Sequence, residues 1–118
     1  MKPKYTFFAN ASYALSGVLA MLKNEVAFRI ELVFIIPALV VSVFLPVSFE
    51  QHLILAGVLF IIIIAECVNS AIEACVDLIT EDFHHKAKIA KDCGSAAVFF
   101  SIVLALITWA LVLINCFF

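Results

Sequence analysis

The fold of this chain is decided by residues 53–76, LILAGVLFIIIIAECVNSAIEACV. The segment is apolar up to residue 65, and polar side chains then follow in a row that ends just beyond it: Glu66, Asn69, Ser70, Glu73 and Asp77. Four of them recur at steps of three, four and four residues, which places them on one face of an α-helix. Carboxylates at membrane depth are costly and usually face a bundle interior or a wet cavity, so this face predicts a functional site.

The composition indicates the class of protein. The 118 residues are 66% hydrophobic and only 14% charged. A soluble domain of this size could not remove that much apolar surface from water. We therefore predict an all-α integral membrane protein in which residues 1–118 form one domain, and we expect no nucleic-acid partner.

Three apolar stretches, at 30–47, 53–76 and 96–114, approach the roughly 20 residues that a helix needs to cross the hydrocarbon core. Before them, residues 5–24 mix apolar side chains with a weakly polar set: Asn10, Ser12, Ser16 and Lys23. This mixture is typical of an amphipathic helix that lies in the membrane interface. The predicted protomer is one surface helix followed by three transmembrane helices.

The basic residues predict the orientation of the chain in the membrane. All seven lie before the first span or between the second and third: Lys2, Lys4, Lys23, Arg29, Lys86, Lys88 and Lys91. The link between the first two spans and the C-terminal end carry none. The positive-inside rule then places the N-terminus and the 80–91 loop in the cytoplasm and the C-terminus on the opposite side.

Charged residues from three segments are expected at one level, near the cytoplasmic surface. Glu25 precedes the first span, Glu73 lies near the end of the second, and Lys91 and Asp92 precede the third. Mg²⁺ prefers carboxylate oxygens and a lysine can hold a phosphate, so Glu25 and Glu73 are candidate metal ligands and Lys91 a candidate phosphate ligand. The deeper Glu66 is a candidate general base. This layout suits phosphoryl transfer from a nucleotide to a lipid hydroxyl.

Three segments carry a resemblance to a known family: AECVNSAIEACVD (65–77), AKDCGSAAV (90–98) and NEVAFRIE (24–31). They resemble the signature of the prokaryotic diacylglycerol kinase family, and matching spacing runs from about Asn10 to the C-terminal end. The resemblance implies a small homotrimeric enzyme of the bacterial inner membrane, with one surface helix and three spans per protomer. It also implies that MgATP is used to phosphorylate diacylglycerol to phosphatidic acid, at active sites between protomers.

The resemblance further implies roles for individual residues. The catalytic set has Glu66 as the base: Glu66, Asn69, Lys91 and Asp92. A second set binds the nucleotide and the metal ion, with Glu25 and Glu73 as the metal ligands. Its members are Tyr13, Glu25, Glu73, Asp82, Phe83, His84, Lys91 and Asp92, of which the last two also belong to the catalytic set. A third set contacts the lipid substrate and also includes the base, Glu66. Its members are Asn10, Glu31, Glu66, Ser95 and Trp109.

Three alternatives remain open at this point. Undecaprenol kinases of the same family phosphorylate a different lipid with the same kind of primary hydroxyl, so the acceptor lipid is not decided by the sequence. A small multidrug exporter has a similar length and an intramembrane Glu, but it normally needs four spans. A non-catalytic membrane subunit could use the polar face to bind a partner helix.

Overall fold

The computed structural model describes residues 6–118, so three residues used in the predictions of topology and of the surface helix lie outside the described residues: Lys2, Lys4 and Tyr5. Four helices follow one another: α1 (Phe7–Asn24), α2 (Val26–Phe44), α3 (Phe49–Ile79) and α4 (His85–Phe117). No strand occurs within residues 6–118. The predicted all-α class is confirmed.

Helix α1 corresponds to the predicted surface helix and begins at a side-chain cap. The Thr6 hydroxyl accepts a hydrogen bond from the backbone N–H of Ala9 at 3.2 Å. This satisfies one of the N–H groups that the start of a helix leaves unpaired. Met21 is buried, whereas most other α1 side chains are exposed. A helix that buries so little within its own chain is consistent with a place in the membrane interface.

A short joint separates α1 from α2. Only Glu25 lies between them, in an extended conformation with φ −111° and ψ 104°. The Arg29 guanidinium, from the start of α2, donates hydrogen bonds to the carbonyls of Leu22 at 2.8 Å and Lys23 at 3.1 Å. Carbonyls at a helix C-terminus lack intrahelical partners and carry partial negative charge, so this cation stabilises the joint. Glu25 is thereby held at the entrance to α2.

Helices α2, α3 and α4 are each long and apolar enough to cross a membrane, which confirms the predicted number of spans. Helix α2 ends at Phe44, before the predicted end of the first span at residue 47, because Leu45 precedes Pro46 and is extended. Helices α3 and α4 have 31 and 33 residues. At 1.5 Å per residue they are about 46 and 50 Å long, more than the roughly 30 Å hydrocarbon core. Their polar ends therefore extend beyond the hydrocarbon.

Helix α3 is the central element of the bundle. It packs along α4 and also contacts α2 and α1. The buried core lies between these helices and consists of Ile35, Val58, Leu59, Ile62 and Ala105. Large apolar side chains such as Phe34 and Phe99 remain exposed on the outer faces. Outer faces of this kind suit contact with lipid, because lipid tails are as apolar as the side chains that touch them.

Candidate active site

Glu66 lies in the middle of α3 and is buried, with an exposed fraction of 6%. On α2, Glu31 is half-buried. One oxygen of Glu31, Oε2, is buried and has no hydrogen-bond partner. Both acids thus have limited access to water, although the sequence assigned Glu31 only to the lipid.

An apolar cavity of about 300 Å³ lies between α2, α3 and α4. Glu31 is the charged residue in its lining, and Phe34, Ile62 and Trp109 form part of its walls. The Trp109 indole Nε1–H donates a hydrogen bond to the Leu55 carbonyl at 3.2 Å, which holds the ring against α3. The structure thus brings two of the predicted lipid-contact residues, Glu31 and Trp109, to one cavity.

Asn69 connects the polar face of α3 to α4. Its amide Nδ2–H donates a hydrogen bond to Glu73 Oε1 at 3.2 Å, and its Oδ1 is buried without a partner. Gly94 on α4 lies directly against this amide, so that a Cβ atom at Gly94 would overlap Asn69 Oδ1. The two helices can approach this closely only because residue 94 has no side chain.

Two ion pairs lie beyond the apolar part of the bundle, where α3 ends and α4 begins. Lys91 Nζ is 2.6 Å from Asp77 Oδ1, and Lys88 Nζ is 2.6 Å from Asp92 Oδ2. The hydrogen bond from Lys91 to Asp77 raises the pKa of Lys91 above its usual value. Lys91 is therefore fully cationic at neutral pH, as a phosphate ligand must be. Because both pairs are exposed, they contribute little to stability and can exchange partners.

The α3–α4 loop and the start of α4 form a polar groove of about 360 Å³. All five loop-side residues of the predicted nucleotide set line it, together with Asp77: Asp82, Phe83, His84, Lys91 and Asp92. The loop is held by Thr80, whose hydroxyl accepts a hydrogen bond from the N–H of Asp82 at 3.2 Å. The structure therefore brings these five residues to one groove, and their contact with a nucleotide stays a prediction.

Glu25 lies in a different groove, of about 560 Å³, between α1 and α3. Its neighbours there include Gly17 and Met21 of α1 and Ser70 and Ala74 of α3. Within residues 6–118, no three acidic, histidine or cysteine side chains are gathered closely enough to hold a metal ion. Pairing of Glu25 with Glu73 therefore stays a prediction.

The remaining residues of the predicted sets lie apart from the cavity and the loop groove. Asn10 and Tyr13 are on α1, and Ser95 is on α4. None of the three lines either space. Their proposed contacts with lipid and nucleotide stay predictions.

Comparison with known proteins gives a consistent result. The family model for prokaryotic diacylglycerol kinase matches residues 12–113. The chain belongs to this family. It is 41% identical over 103 residues to a diacylglycerol kinase of Escherichia coli strain K12, with 87% of this chain and 84% of the relative covered. A diacylglycerol kinase of Pseudomonas aeruginosa is 37% identical over the same coverage, and one of Haemophilus influenzae is 31% identical over 100 residues, 85% of each chain.

For this member of the prokaryotic diacylglycerol kinase family, two features of the site were not assigned from the sequence. Asp77 forms the ion pair with Lys91. The sequence signal for it was its position on the polar face of α3, four residues after Glu73. Gly94 supports Asn69, and no property of the sequence alone shows which helix a glycine faces.

Proposed function

We propose that this protein is a diacylglycerol kinase that transfers the γ-phosphoryl group of ATP to diacylglycerol and forms phosphatidic acid. The observation that carries the proposal is the match of the family over nearly the whole chain, 12–113. It is supported by the layout of the bundle, which has a polar groove at the α3–α4 loop, a buried acid, Glu66, in the middle of α3, and an apolar cavity bordered by Glu31. A water-soluble donor and a lipid acceptor would approach such a site from different sides.

The nucleotide occupies the loop groove. Lys91 supplies a positive charge to the phosphates, and the aromatic rings of Phe83 and His84 offer contacts for the adenine base of the nucleotide. Lys91 must exchange Asp77 for a phosphate oxygen, which is easy because the pair is exposed. Tyr13 contacts the nucleotide from the surface helix, α1.

The donor set near this groove suits Mg²⁺, which binds through one or two carboxylates together with substrate phosphates and water. Glu25 and Glu73 would hold it, and Asn69 keeps Glu73 oriented through its amide. When bound, the ion neutralises negative charge on the phosphates. A cluster of three protein ligands is not required for this mode of binding.

The lipid places its hydroxyl at Glu66 and an acyl chain in the apolar cavity beside Glu31 and Trp109. In the reaction, the hydroxyl oxygen attacks the γ-phosphorus, and the bond to the β,γ-bridging oxygen breaks. The hydroxyl proton passes to the Glu66 carboxylate, and ADP leaves with the bridging oxygen. Asn10 and Ser95 contact the lipid closer to the interface.

The chain functions in the inner membrane of a bacterium, with its N-terminus in the cytoplasm and its C-terminus in the periplasm. The distribution of Lys and Arg supports this orientation. We also propose a homotrimer with active sites between protomers. The separation of the Glu25 groove from the loop groove supports it, because a neighbouring protomer could bring the two together.

The acceptor lipid is tested by direct competition. Purified protein in mixed micelles receives γ-labelled ATP with equal amounts of diacylglycerol and undecaprenol, and the labelled lipids are separated. We expect labelled phosphatidic acid as the main product. Labelled undecaprenyl phosphate alone would assign the chain to the other kinase class, and no labelled lipid from either acceptor would overturn the kinase function.

A further inference from the structure

Helix α2 ends with a carbonyl that its own backbone cannot pair. In a continuing helix the Ser42 carbonyl would accept a hydrogen bond from the N–H of residue 46, but residue 46 is a proline and has no N–H. Ser42 is buried, with an exposed fraction of 4%, and its own hydroxyl donates to the carbonyl of Leu39 at 2.7 Å. A buried carbonyl without a donor is costly, so another group must supply the hydrogen bond.

The side chain of His52, near the start of α3, supplies it. The ring nitrogen Nδ1 lies 2.9 Å from the Ser42 carbonyl oxygen. Because a carbonyl oxygen can only accept a hydrogen bond, the proton must be on Nδ1. His52 thus takes the place of the N–H that Pro46 lacks, and it joins the end of α2 to the start of α3 across the 45–48 link.

This hydrogen bond lies about one helical turn beyond the apolar cavity. On α2, Ser42 follows the cavity residue Ala38 by four residues. On α3, His52 precedes Leu55 by three residues, and the Leu55 carbonyl accepts the hydrogen bond of the cavity residue Trp109. These steps are about 4.5–6 Å along each helix axis. The His52–Ser42 hydrogen bond therefore lies just past the end of the cavity that is farther from α1.

The shape of the cavity depends on the position of α2. Within residues 6–118, α2 packs against α1 and α3 but makes no close backbone contact with α4, which lies across the cavity. Pro37 removes one hydrogen bond inside α2, so residues 38–44 can bend relative to the rest of the helix. Among the residues that the structure describes, the His52 side chain makes the only side-chain hydrogen bond between residues 38–44 and α3.

We propose that His52 is a positioning residue for the lipid substrate. Through its hydrogen bond to Ser42 it fixes residues 38–44 of α2 against α3, and so it fixes the width of the cavity that takes the acyl chain. This role rests on the proposed function, because it assumes that an acyl chain of diacylglycerol occupies the cavity. The hydrogen bond itself is a property of the resting protein and can be measured without turnover.

NMR of the imidazole nitrogens tests the hydrogen bond directly. The protein, with isotope-labelled histidines, is measured in detergent micelles at about pH 9, above the usual range of the imidazole pKa. We expect the His52 proton on Nδ1, and His52→Asn identifies its signals by their loss. His84 is the internal control, because its Nδ1 accepts a hydrogen bond from the Lys86 N–H at 3.1 Å and its proton must therefore be on Nε2. A proton on Nε2 of His52 would overturn the proposal.

Enzyme kinetics test the positioning role. His52→Ala removes the donor and should raise the KM for long-chain diacylglycerol by about three- to tenfold, with the KM for ATP unchanged. His52→Asn should keep the wild-type KM, because the asparagine amide nitrogen takes the place of the imidazole Nδ1 as a donor. An unchanged lipid KM in His52→Ala, or a parallel rise in the KM for both substrates, would reject the role.

A second substitution separates the hydrogen bond from other effects of residue 52. Pro46→Ala restores an N–H that can bond to the Ser42 carbonyl, so adding it to His52→Ala should bring the lipid KM back to within about twofold of wild type. Pro46→Ala alone is the matched control and should leave the KM unchanged, because His52 still donates. A lipid KM that stays high in both His52→Asn and the double variant would contradict the proposal. Absence of labelled lipid from the wild type would instead overturn the proposed function.

Discussion

At the scale of single residues, the proposed mechanism depends most on Glu66. It is buried near the middle of α3. The pattern of the sequence identified it because a carboxylate in an apolar run is costly to keep. The place of Glu31 in the wall of the apolar cavity was not predicted, since it depends on how α2 packs against α3 and α4 and no helical periodicity reports that.

Replacing Glu66 by Gln tests its assignment as the base. The amide keeps the shape of the side chain but cannot accept the hydroxyl proton, so kcat should fall by about 10²–10⁴-fold. Nucleotide binding, measured by titration with ATP, should remain largely intact. Unchanged turnover in this variant would end the assignment, and Glu50→Gln serves as the control for removal of a carboxylate elsewhere.

Replacing Glu73 by Ala tests its proposed role as a metal ligand. The variant should need a higher Mg²⁺ concentration for half-maximal activity, because one carboxylate of the donor set is lost. The measurement is the activity at a series of Mg²⁺ concentrations with ATP held constant. The same Mg²⁺ requirement in the variant and the wild type would remove Glu73 from the metal site.

Helix packing is decided by small contacts, and the approach of α4 to α3 at Gly94 is the clearest case. The sequence shows a run of small residues here, GSAA at 94–97, but not that Asn69 is what Gly94 faces. The same holds for the Trp109 indole, whose hydrogen bond to α3 fixes one wall of the cavity. These contacts follow from the relative rotation of two helices, which periodicity alone does not give.

Gly94→Ala should push Asn69 aside and disturb its hydrogen bond to Glu73. We expect a loss of about 1–3 kcal/mol in the free energy of unfolding and a clear fall in kcat. Gly57→Ala is the matched control: no atom lies within 4 Å of a Cβ there, and alanine favours the helix. Unfolding in mixed micelles with increasing SDS measures both. Equal stability of the two variants would contradict the close contact.

Asp77, near the end of α3, holds Lys91, near the start of α4, through an ion pair. Asp77→Asn removes the carboxylate and should return the pKa of Lys91 toward its usual value, which still leaves the lysine cationic at neutral pH. The KM for ATP should therefore change by no more than about threefold, because exposed pairs are weak. Lys91→Met should raise that KM far more. An unchanged KM for ATP in Lys91→Met would remove Lys91 from the nucleotide site, and an equal rise in both variants would show that the intact ion pair, rather than the lysine charge alone, is needed.

For the whole molecule, the sequence was sufficient to predict the class, the number of spans and the family. Apolar length decides the spans and the motif at 65–77 decides the family, and both are local properties of the chain. The ends of helices were less well predicted. Helix α2 ends at Phe44 because the proline at position 46 keeps the residue before it extended, and α3 and α4 continue past the apolar stretches. The grouping of the loop residues around one groove was predicted only through the family.

The central claim is that buried carboxylate in the middle span allows a nucleotide to phosphorylate a lipid. It is tested most directly in proteoliposomes that contain purified protein and diacylglycerol and receive γ-labelled MgATP. We predict labelled phosphatidic acid from the wild type and a yield lower by at least about 10²-fold from Glu66→Gln. Absence of labelled lipid from the wild type, or equal labelling by the variant, would contradict the claim.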